Sequence, residues 1–101
     1  MNHLRIATYD VTKGTSKDVC ELVLAAGGMR DIFASQAGFQ AYSLIEVDPV
    51  TIISISVWET HDEAEGAVRA AAEWVAGNLD GRIHRTSNQV GDAMFWEGVA
   101  K

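Results

Sequence analysis

The chain has 101 residues, of which 48% are hydrophobic and 22% charged, a composition typical of one globular domain spanning residues 1–101. Eight basic against fourteen acidic residues give a net charge of −6, which disfavours binding to nucleic acids and to anionic membranes. The sequence has no apolar run of membrane-spanning length and no signal-peptide profile at its start. Its single cysteine excludes an internal disulfide, which fits a reducing environment. We therefore expect a cytoplasmic protein.

The first predicted strand is Leu4–Val11, a run rich in β-forming residues. Thr15 or Ser16 caps the helix that follows, in which apolar residues recur at helical spacing as far as Phe33. The pair Gly27-Gly28 interrupts this pattern, and each glycine costs about 1 kcal/mol relative to alanine in a helix. The alternatives are a break or kink at this point and a close approach by a neighbouring backbone.

Two further strands, Gly38–Val47 and Thr51–Trp58, flank an Asp48-Pro49 turn. Because the connection is so short, they are predicted to form an antiparallel hairpin. The period-2 alternation of side chains along a strand puts five residues of the first of these strands on one face. These five are Phe39, Ala41, Ser43, Ile45 and Val47.

A capping box begins the second helix, because the Thr60 hydroxyl and the Glu63 carboxylate can each accept from the other's backbone amide. Gly77 and Asn78 end it. Apolar residues at helical spacing predict its buried stripe. The stripe consists of Ala64, Ala67, Val68, Ala71, Val75 and Leu79.

The polar segment Leu79–Gln89 is predicted to be irregular, and Val90–Val99 is predicted to be the last strand. Phe95 and Trp96 are adjacent, so within a strand they would point to opposite faces. One would then contact the helices and the other a dimer partner.

The predicted order is βαββαβ, the ferredoxin-like arrangement of the α+β class. In it, a four-stranded antiparallel sheet carries two helices on one face. The other face remains bare, and an apolar bare face is rarely tolerated in a monomer. We therefore expect a homodimer formed through the open sheet face.

Three features of the central block resemble the antibiotic biosynthesis monooxygenase-like family of the dimeric α/β-barrel superfamily. They are Gly38-Phe39-x-x-Tyr42 at the start of the second strand, the aromatic-Glu-Thr ending of the third strand at Trp58, and the Ala-Ala-Glu-Trp-Val run Ala71–Val75. The resemblance implies a dimer in which two sheets close into a barrel, and a small pocket between the helices and the sheet of each subunit. It also implies a cofactor-independent monooxygenase that oxidises an electron-rich phenol while binding the substrate as its anion.

Such a pocket needs aromatic walls. Trp58 is either a packing residue or a pocket wall at the point where the third strand meets the second helix, and packing is the more common role of a tryptophan there. Phe33 and Trp74 are predicted to line the same cavity from the two helices, although both lie near stripes that usually form the core.

Acid–base chemistry would need a polar group beside the ring, and Tyr42 and His84 are the predicted catalytic residues. The Tyr42 phenol can donate to an oxyanion, and it can equally serve packing. His84 stands beside Arg82 and Arg85 in a small basic cluster that could attract an anionic substrate, or it is an ordinary loop residue.

No histidine pairs with another histidine or a cysteine at metal-ligand spacing, so the sequence predicts neither a metal site nor a cofactor. Cys20 has no neighbouring base in the sequence, so it is interpreted as structural. The sequence thus leaves two functions open. One is a monooxygenase acting on a small aromatic or polyketide-like substrate, and the other is a non-catalytic dimeric module that binds a small molecule or is associated with stress.

Overall fold

The computed structural model describes residues 3–98, which form four strands and three helices. In chain order these are β1 His3–Val11, α1 Ser16–Leu24, α2 Met29–Ala34, β2 Phe39–Asp48, β3 Thr51–Trp58, α3 His61–Asn78 and β4 Ile83–Asp92. The strands form one antiparallel sheet in the order β2-β3-β1-β4. The predicted ferredoxin-like βαββαβ arrangement is confirmed.

The core lies between the helices and one face of the sheet. Alternate residues of the two central strands are buried there. Small residues of α3, at Ala64, Ala67 and Ala71, let this helix approach the sheet closely and are themselves buried. The predicted stripe of α3 is correct for these alanines, and Leu79, which caps the helix, is also buried. The face of the two central strands under the helices consists of Arg5, Ala7, Tyr9, Val11, Ile52, Ser54, Ser56 and Trp58.

The first predicted helix is in fact two helices, α1 and α2, separated at the glycine pair. Gly27 has a φ of +76°, which ends the helical path. A Cβ on Gly28 would lie 2.5 Å from the carbonyl oxygen of Val23 and 2.6 Å from that of Leu22. Both alternatives drawn from the sequence therefore hold. The helix breaks at Gly27, and the backbone at the end of α1 lies too close to Gly28 to leave room for a side chain.

Both predicted helix starts are confirmed, and each has a complete capping box. Thr15 caps α1 with Asp18 as its partner, and Thr60 caps α3 with Glu63. In α3 the Glu63 amide donates to the Thr60 hydroxyl over 3.2 Å, and the Thr60 amide donates to the Glu63 carboxylate over 3.0 Å. These bonds satisfy amides that the first turn of a helix leaves without partners.

The predicted face of the second strand is wrong at Phe39. The register of β2 against β3 shifts between Phe39 and Ala41, where β2 contains a bulge. The extra residue turns Phe39 toward the core, where its ring meets that of Trp58 edge-on with the centroids 5.6 Å apart. Ala41, Ser43, Ile45 and Val47 are exposed, as expected of residues on the open face.

The last strand is also predicted wrongly. β4 occupies most of the segment expected to be irregular, and it ends at Asp92. Because β4 is an edge strand, polar residues are well suited to it, and they hid its strand character. Phe95 and Trp96 lie beyond β4 and are exposed, so they do not lie on opposite faces of a strand. Val99 lies outside the described residues.

The face of the sheet opposite the helices is bare in the single chain. It carries apolar side chains from three neighbouring strands, which are exposed or half-buried. They include Ile6, Ile45, Val47, Ile53, Ile55 and Val57. Among residues 3–98 no helix is long and apolar enough to cross a membrane.

Candidate functional site

A cavity lies between the helices and the covered face of the sheet. Its volume is about 20 Å³, which is room for one water molecule and too little for an aromatic ring. Most of its wall is apolar, so the few polar groups that reach it define its chemistry. The residues that matter are Arg5, Tyr9, Tyr42, Ser54, Trp74 and Val75.

Arg5 is the principal charged group of this cavity, and its residue is only 1% exposed. Its Nε donates to the Asn88 side-chain oxygen over 2.9 Å, and its Nη2 donates to the Tyr9 hydroxyl over 2.7 Å. No carboxylate among residues 3–98 forms an ion pair with it, since the pairs found there join His3 to Asp92 and His61 to Glu65. Burying a cation among neutral groups lowers the stability of the folded state by roughly several kcal/mol, because the ion loses its hydration.

The strand geometry explains why Arg5 is buried. Residues 5, 7, 9 and 11 of β1 alternate toward the helices, and their neighbours in the chain alternate away from them. Arg5 thus occupies a core position, beside Val90 of β4 and Ser56 of β3 in the register of the sheet. The arginine is therefore held at the cavity wall by the same alternation that forms the core.

Tyr42 lines the cavity from β2. Burial raises the pKa of its phenol to about 12, while a side-chain hydrogen bond with Ser54 acts in the opposite direction. The phenol is therefore protonated at neutral pH. It can donate a hydrogen bond to a negatively charged oxygen, and its own anion is too scarce to serve as a base.

Phe33 and Trp58, both predicted to bind substrate, lie behind the cavity wall and do not line it. Both are completely buried. The Phe33 ring contacts Tyr42 and Trp58 edge-on, with centroid distances of 4.8 Å and 5.4 Å. The Trp58 indole N–H donates to the Ser56 hydroxyl over 2.9 Å, so its polar atom has a partner within the core.

Trp74, the third residue predicted to bind substrate, does line the cavity, from α3. The structure thus brings Trp74 and Tyr42 to the same cavity and sets Phe33 and Trp58 behind them. Phe33 contacts Tyr42 and Trp58 contacts Phe33, so both can act on the cavity through the position of Tyr42.

A surface groove adjoins the cavity, between α3 and the side of the sheet formed by β1 and the edge strand β4. Its volume is about 280 Å³, close to the lower limit of small-molecule sites. Tyr9 and Val75 line both the cavity and the groove. Asp80 and Arg85 line the groove as well, and their charges offset each other. Arg5, behind Tyr9, is a buried cation with which no carboxylate among residues 3–98 forms an ion pair.

The structure does not bring His84 to the same cavity as Tyr42. His84 is exposed on β4 opposite Asp10 of β1 in the register. Because Tyr9 and Val11 point toward the helices, Asp10 and its partner point to the open face. Of the basic cluster noted in the sequence, Arg85 borders the groove.

Sequence reasoning missed Arg5, Tyr9 and Ser54. The available signal was an arginine at a position of β1 that alternates with buried residues. A charged residue on the apolar face of a strand is uncommon unless it is paired. Among residues 3–98, the group of side chains with metal-ligand geometry is His3, His61 and Asp92, none of which lines the cavity.

Comparison with solved structures reveals the same fold in known oxygenases. SnoaB, a cofactor-independent oxygenase from Streptomyces nogalater, matches with a TM-score of 0.73 at 18% identity, covering 97% of this chain and 98% of its own. The monooxygenase from the gene ActVA-Orf6 of Streptomyces coelicolor, solved with the ligand nanaomycin D, matches at 0.65 and 16% identity, covering 98% and 93%.

The fold is not confined to oxygenases of known activity. A protein of unknown function from Nitrosomonas europaea has a TM-score of 0.73 at 12% identity, covering 100% of this chain and 98% of its own. No protein-family model and no curated protein matches the sequence. The resemblance drawn from the sequence is confirmed by these structures, and at such low identities they show the fold that this chain shares.

Proposed function

We propose that this chain, which has the fold of the cofactor-independent oxygenases, is a monooxygenase that acts on a small aromatic or polyketide-like substrate bound as its anion. The observation that carries the proposal is Arg5, a buried cation with no carboxylate partner among residues 3–98, at the wall of a cavity. An anionic oxygen of the substrate would supply the missing counter-charge.

The surrounding groups suit a phenolate or enolate. The Tyr42 phenol, kept protonated by a pKa of about 12, can donate a hydrogen bond to the negative oxygen. Tyr9, which accepts from Arg5, stands between the cavity and the groove. The ring would occupy the groove, since the cavity is too small for it, and its oxygen would point toward Tyr9 and Arg5.

The reaction balances without a cofactor. A phenol and O₂ give a quinone and water, in which one oxygen atom enters the ring and the other leaves in the water molecule. The substrate supplies all the electrons, and its anionic form releases them more readily than the neutral phenol. The protein's part is to bind the anion, hold it against O₂ and exclude bulk water.

A second candidate, the non-catalytic module, is favoured by the tightness of the cavity. A cavity of only about 20 Å³, together with the buried alanines Ala64, Ala67 and Ala71 of α3, describes a closely packed interface between the helices and the sheet. Such a protein would bind an anionic molecule in the groove without turning it over.

Oxygen uptake distinguishes the two. The protein is incubated under air with a panel of naphthols and larger polycyclic phenols, with Arg5→Gln as the test variant and Arg69→Gln, an exposed arginine on α3, as its control. The monooxygenase proposal expects uptake with at least one phenol, loss of that uptake in Arg5→Gln and retention in Arg69→Gln. No uptake by the wild type across the panel, with binding of the same phenols, would establish the binding module instead.

For either function we propose a homodimer formed through the open sheet face, in the cytoplasm. The apolar side chains on that face, among them Ile6, Ile53 and Ile55, support the proposal. Sedimentation at micromolar concentration should show a dimer, and Ile55→Lys should dissociate it. A wild-type monomer under these conditions would refute the assembly.

A further inference from the structure

His3 lies at the start of β1, where three elements of the fold converge. In the register of the sheet it stands opposite Asp92, the last residue of β4. On its other side it stands opposite Trp58, the last residue of β3. The chain then passes through two residues to His61, the first residue of α3. The topology thus places two histidines, 58 positions apart in the sequence, at one corner of the domain.

The side chains at this corner are close enough to share an ion. His3, His61 and Asp92 each offer one ligand atom, and these atoms all lie within 4.8 Å of one another. The His3 Nδ1 is 2.5 Å from an Asp92 carboxylate oxygen, and the His3 and His61 rings meet edge-on with centroids 6.4 Å apart. The Glu65 carboxylate lies 3.3 Å from the His61 Nε2, one helical turn further along α3.

We propose that His3, His61 and Asp92 form a binding site for a divalent transition-metal ion, with Zn²⁺ as the best match. Two imidazoles and a carboxylate are ligands that Zn²⁺ accepts. Tetrahedral bonds of about 2.0–2.2 Å place ligand atoms about 3.3–3.6 Å apart. The His3 nitrogen and the Asp92 oxygen, now in hydrogen-bond contact, would therefore separate slightly to admit the ion. Ions that prefer oxygen alone, such as Mg²⁺ and Ca²⁺, do not suit two imidazoles. Glu65 is positioned to become the fourth ligand after a rotation of its side chain.

The surroundings favour a cation at this corner. The chain carries a net charge of −6, and Glu65 and Asp92 add negative charge directly beside the two rings. His3 is half-buried, whereas the side chains of His61 and Asp92 are 54% and 48% exposed, so an ion can enter from solvent. None of the three residues lines the cavity at Arg5, so this site is separate from the proposed oxygenase chemistry.

An ion held here would connect β1, β4 and α3, three elements that otherwise meet through packing and sheet hydrogen bonds. Binding to the folded state alone stabilises it in proportion to the logarithm of the ion concentration. The ion would therefore have a structural role. The stabilisation it gives to the folded chain can be measured without knowing the substrate.

The experiment uses the full chain without a histidine tag, stripped of metal with a chelator. Isothermal titration with ZnCl₂ measures affinity and stoichiometry, the absorption of Co²⁺ reports nitrogen and oxygen ligation, and a thermal melt records stabilisation. His61→Ala and Asp92→Asn remove one ligand each at exposed positions. Their matched controls are His84→Ala and Asp62→Asn, which alter an exposed histidine and an exposed aspartate outside the cluster.

We expect the wild type to bind a single Zn²⁺ and to melt at a higher temperature with it. His61→Ala and Asp92→Asn should each weaken binding by about tenfold or more, by comparison with the 10–100-fold losses seen for outer-shell partners of metal ligands. Both controls should bind as the wild type does. The site is refuted if the wild type binds no Zn²⁺, or if either ligand variant binds Zn²⁺ as tightly as the wild type.

Discussion

Arg5 donates a hydrogen bond of 2.7 Å to the hydroxyl of Tyr9, four residues further along β1 and on the same covered face of the sheet. Both residues are buried, and Tyr9 also borders the groove that opens to solvent. This bond connects the unpaired guanidinium to the surface at which a ligand would arrive. An anion bound in the groove would reach the charge of Arg5 through this bond.

Tyr9→Phe tests the strength of this bond. Removing the acceptor of a buried charged donor should lower the free energy of unfolding by about 1.5–3 kcal/mol, the range for hydrogen bonds to charged groups. Tyr42→Phe, a matched loss of a hydroxyl without a charged partner, should cost less. Urea unfolding measures both. In an Arg5→Met background the cost of Tyr9→Phe should fall by more than half, and an unchanged cost would mean that the two residues are not coupled.

The raised pKa of Tyr42 has a consequence in alkaline solution. Below pH 10, the ordinary pKa of tyrosine, the phenol is protonated in both the folded and the unfolded chain, so this group's contribution to stability is fully present. Between pH 10 and about 12 the unfolded chain loses the proton while the folded chain keeps it, and stability falls. Tyr42→Phe should flatten the loss over this range and remove a late-titrating phenol from the ultraviolet absorption. If the variant titrates like the wild type, Tyr42 is not the shifted group.

Gly38 is predicted to be intolerant of a side chain. Its φ is +78°, and a Cβ there would overlap the Glu63 carboxylate, which caps α3. Gly38→Ala should therefore lower the free energy of unfolding by about 2 kcal/mol or more, from backbone strain and a displaced cap. Gly77→Ala is the control, since that glycine lies within α3 with open space around it and should gain up to about 1 kcal/mol. Equal effects of the two changes would contradict the contact at Gly38.

Trp58→Phe separates packing from ligand binding. The smaller ring leaves a gap in the core and the Ser56 hydroxyl without its donor, so stability should fall by on the order of 2 kcal/mol. Trp74→Phe changes the cavity wall directly and should alter ligand affinity more than Trp58→Phe does. Thermal melts and ligand titrations of both variants provide the comparison. If Trp58→Phe lowered ligand affinity more than Trp74→Phe, Trp58 would be a ligand-binding residue after all.

The sequence predicted the fold well where local chemistry and periodicity agreed. Thr60 and Glu63 form the capping box that their spacing indicates, and Thr51–Trp58 alternates over its predicted length. The predicted position of the last strand was wrong. An edge strand such as β4 needs few apolar residues, so the strand was predicted instead at the apolar run Met94–Trp96, which is exposed. The bulge that turns Phe39 inward has no signal in the alternation of residues.

The candidate site was harder to predict than the fold. Tyr42 and Trp74 were named from their residue types, and both reach the cavity. Arg5 was not predicted as a site residue, because a charged residue in a strand is expected to face solvent. Its burial becomes clear only once the buried face of β1 is known. His3, His61 and Asp92 come together only through strand register and the return of the chain from β3 into α3, which no spacing in the sequence expresses.

The most direct test of the central claim is whether the site prefers a negative charge. Under nitrogen, calorimetry compares 1-hydroxy-2-naphthoate with its neutral amide, two ligands of nearly the same shape. We predict that the wild type binds the anion at least about tenfold more tightly, a difference of about 1.4 kcal/mol. Arg5→Lys should keep that preference and Arg5→Gln should lose it. Equal affinity for the two ligands in the wild type, or an undiminished preference in Arg5→Gln, would contradict the account.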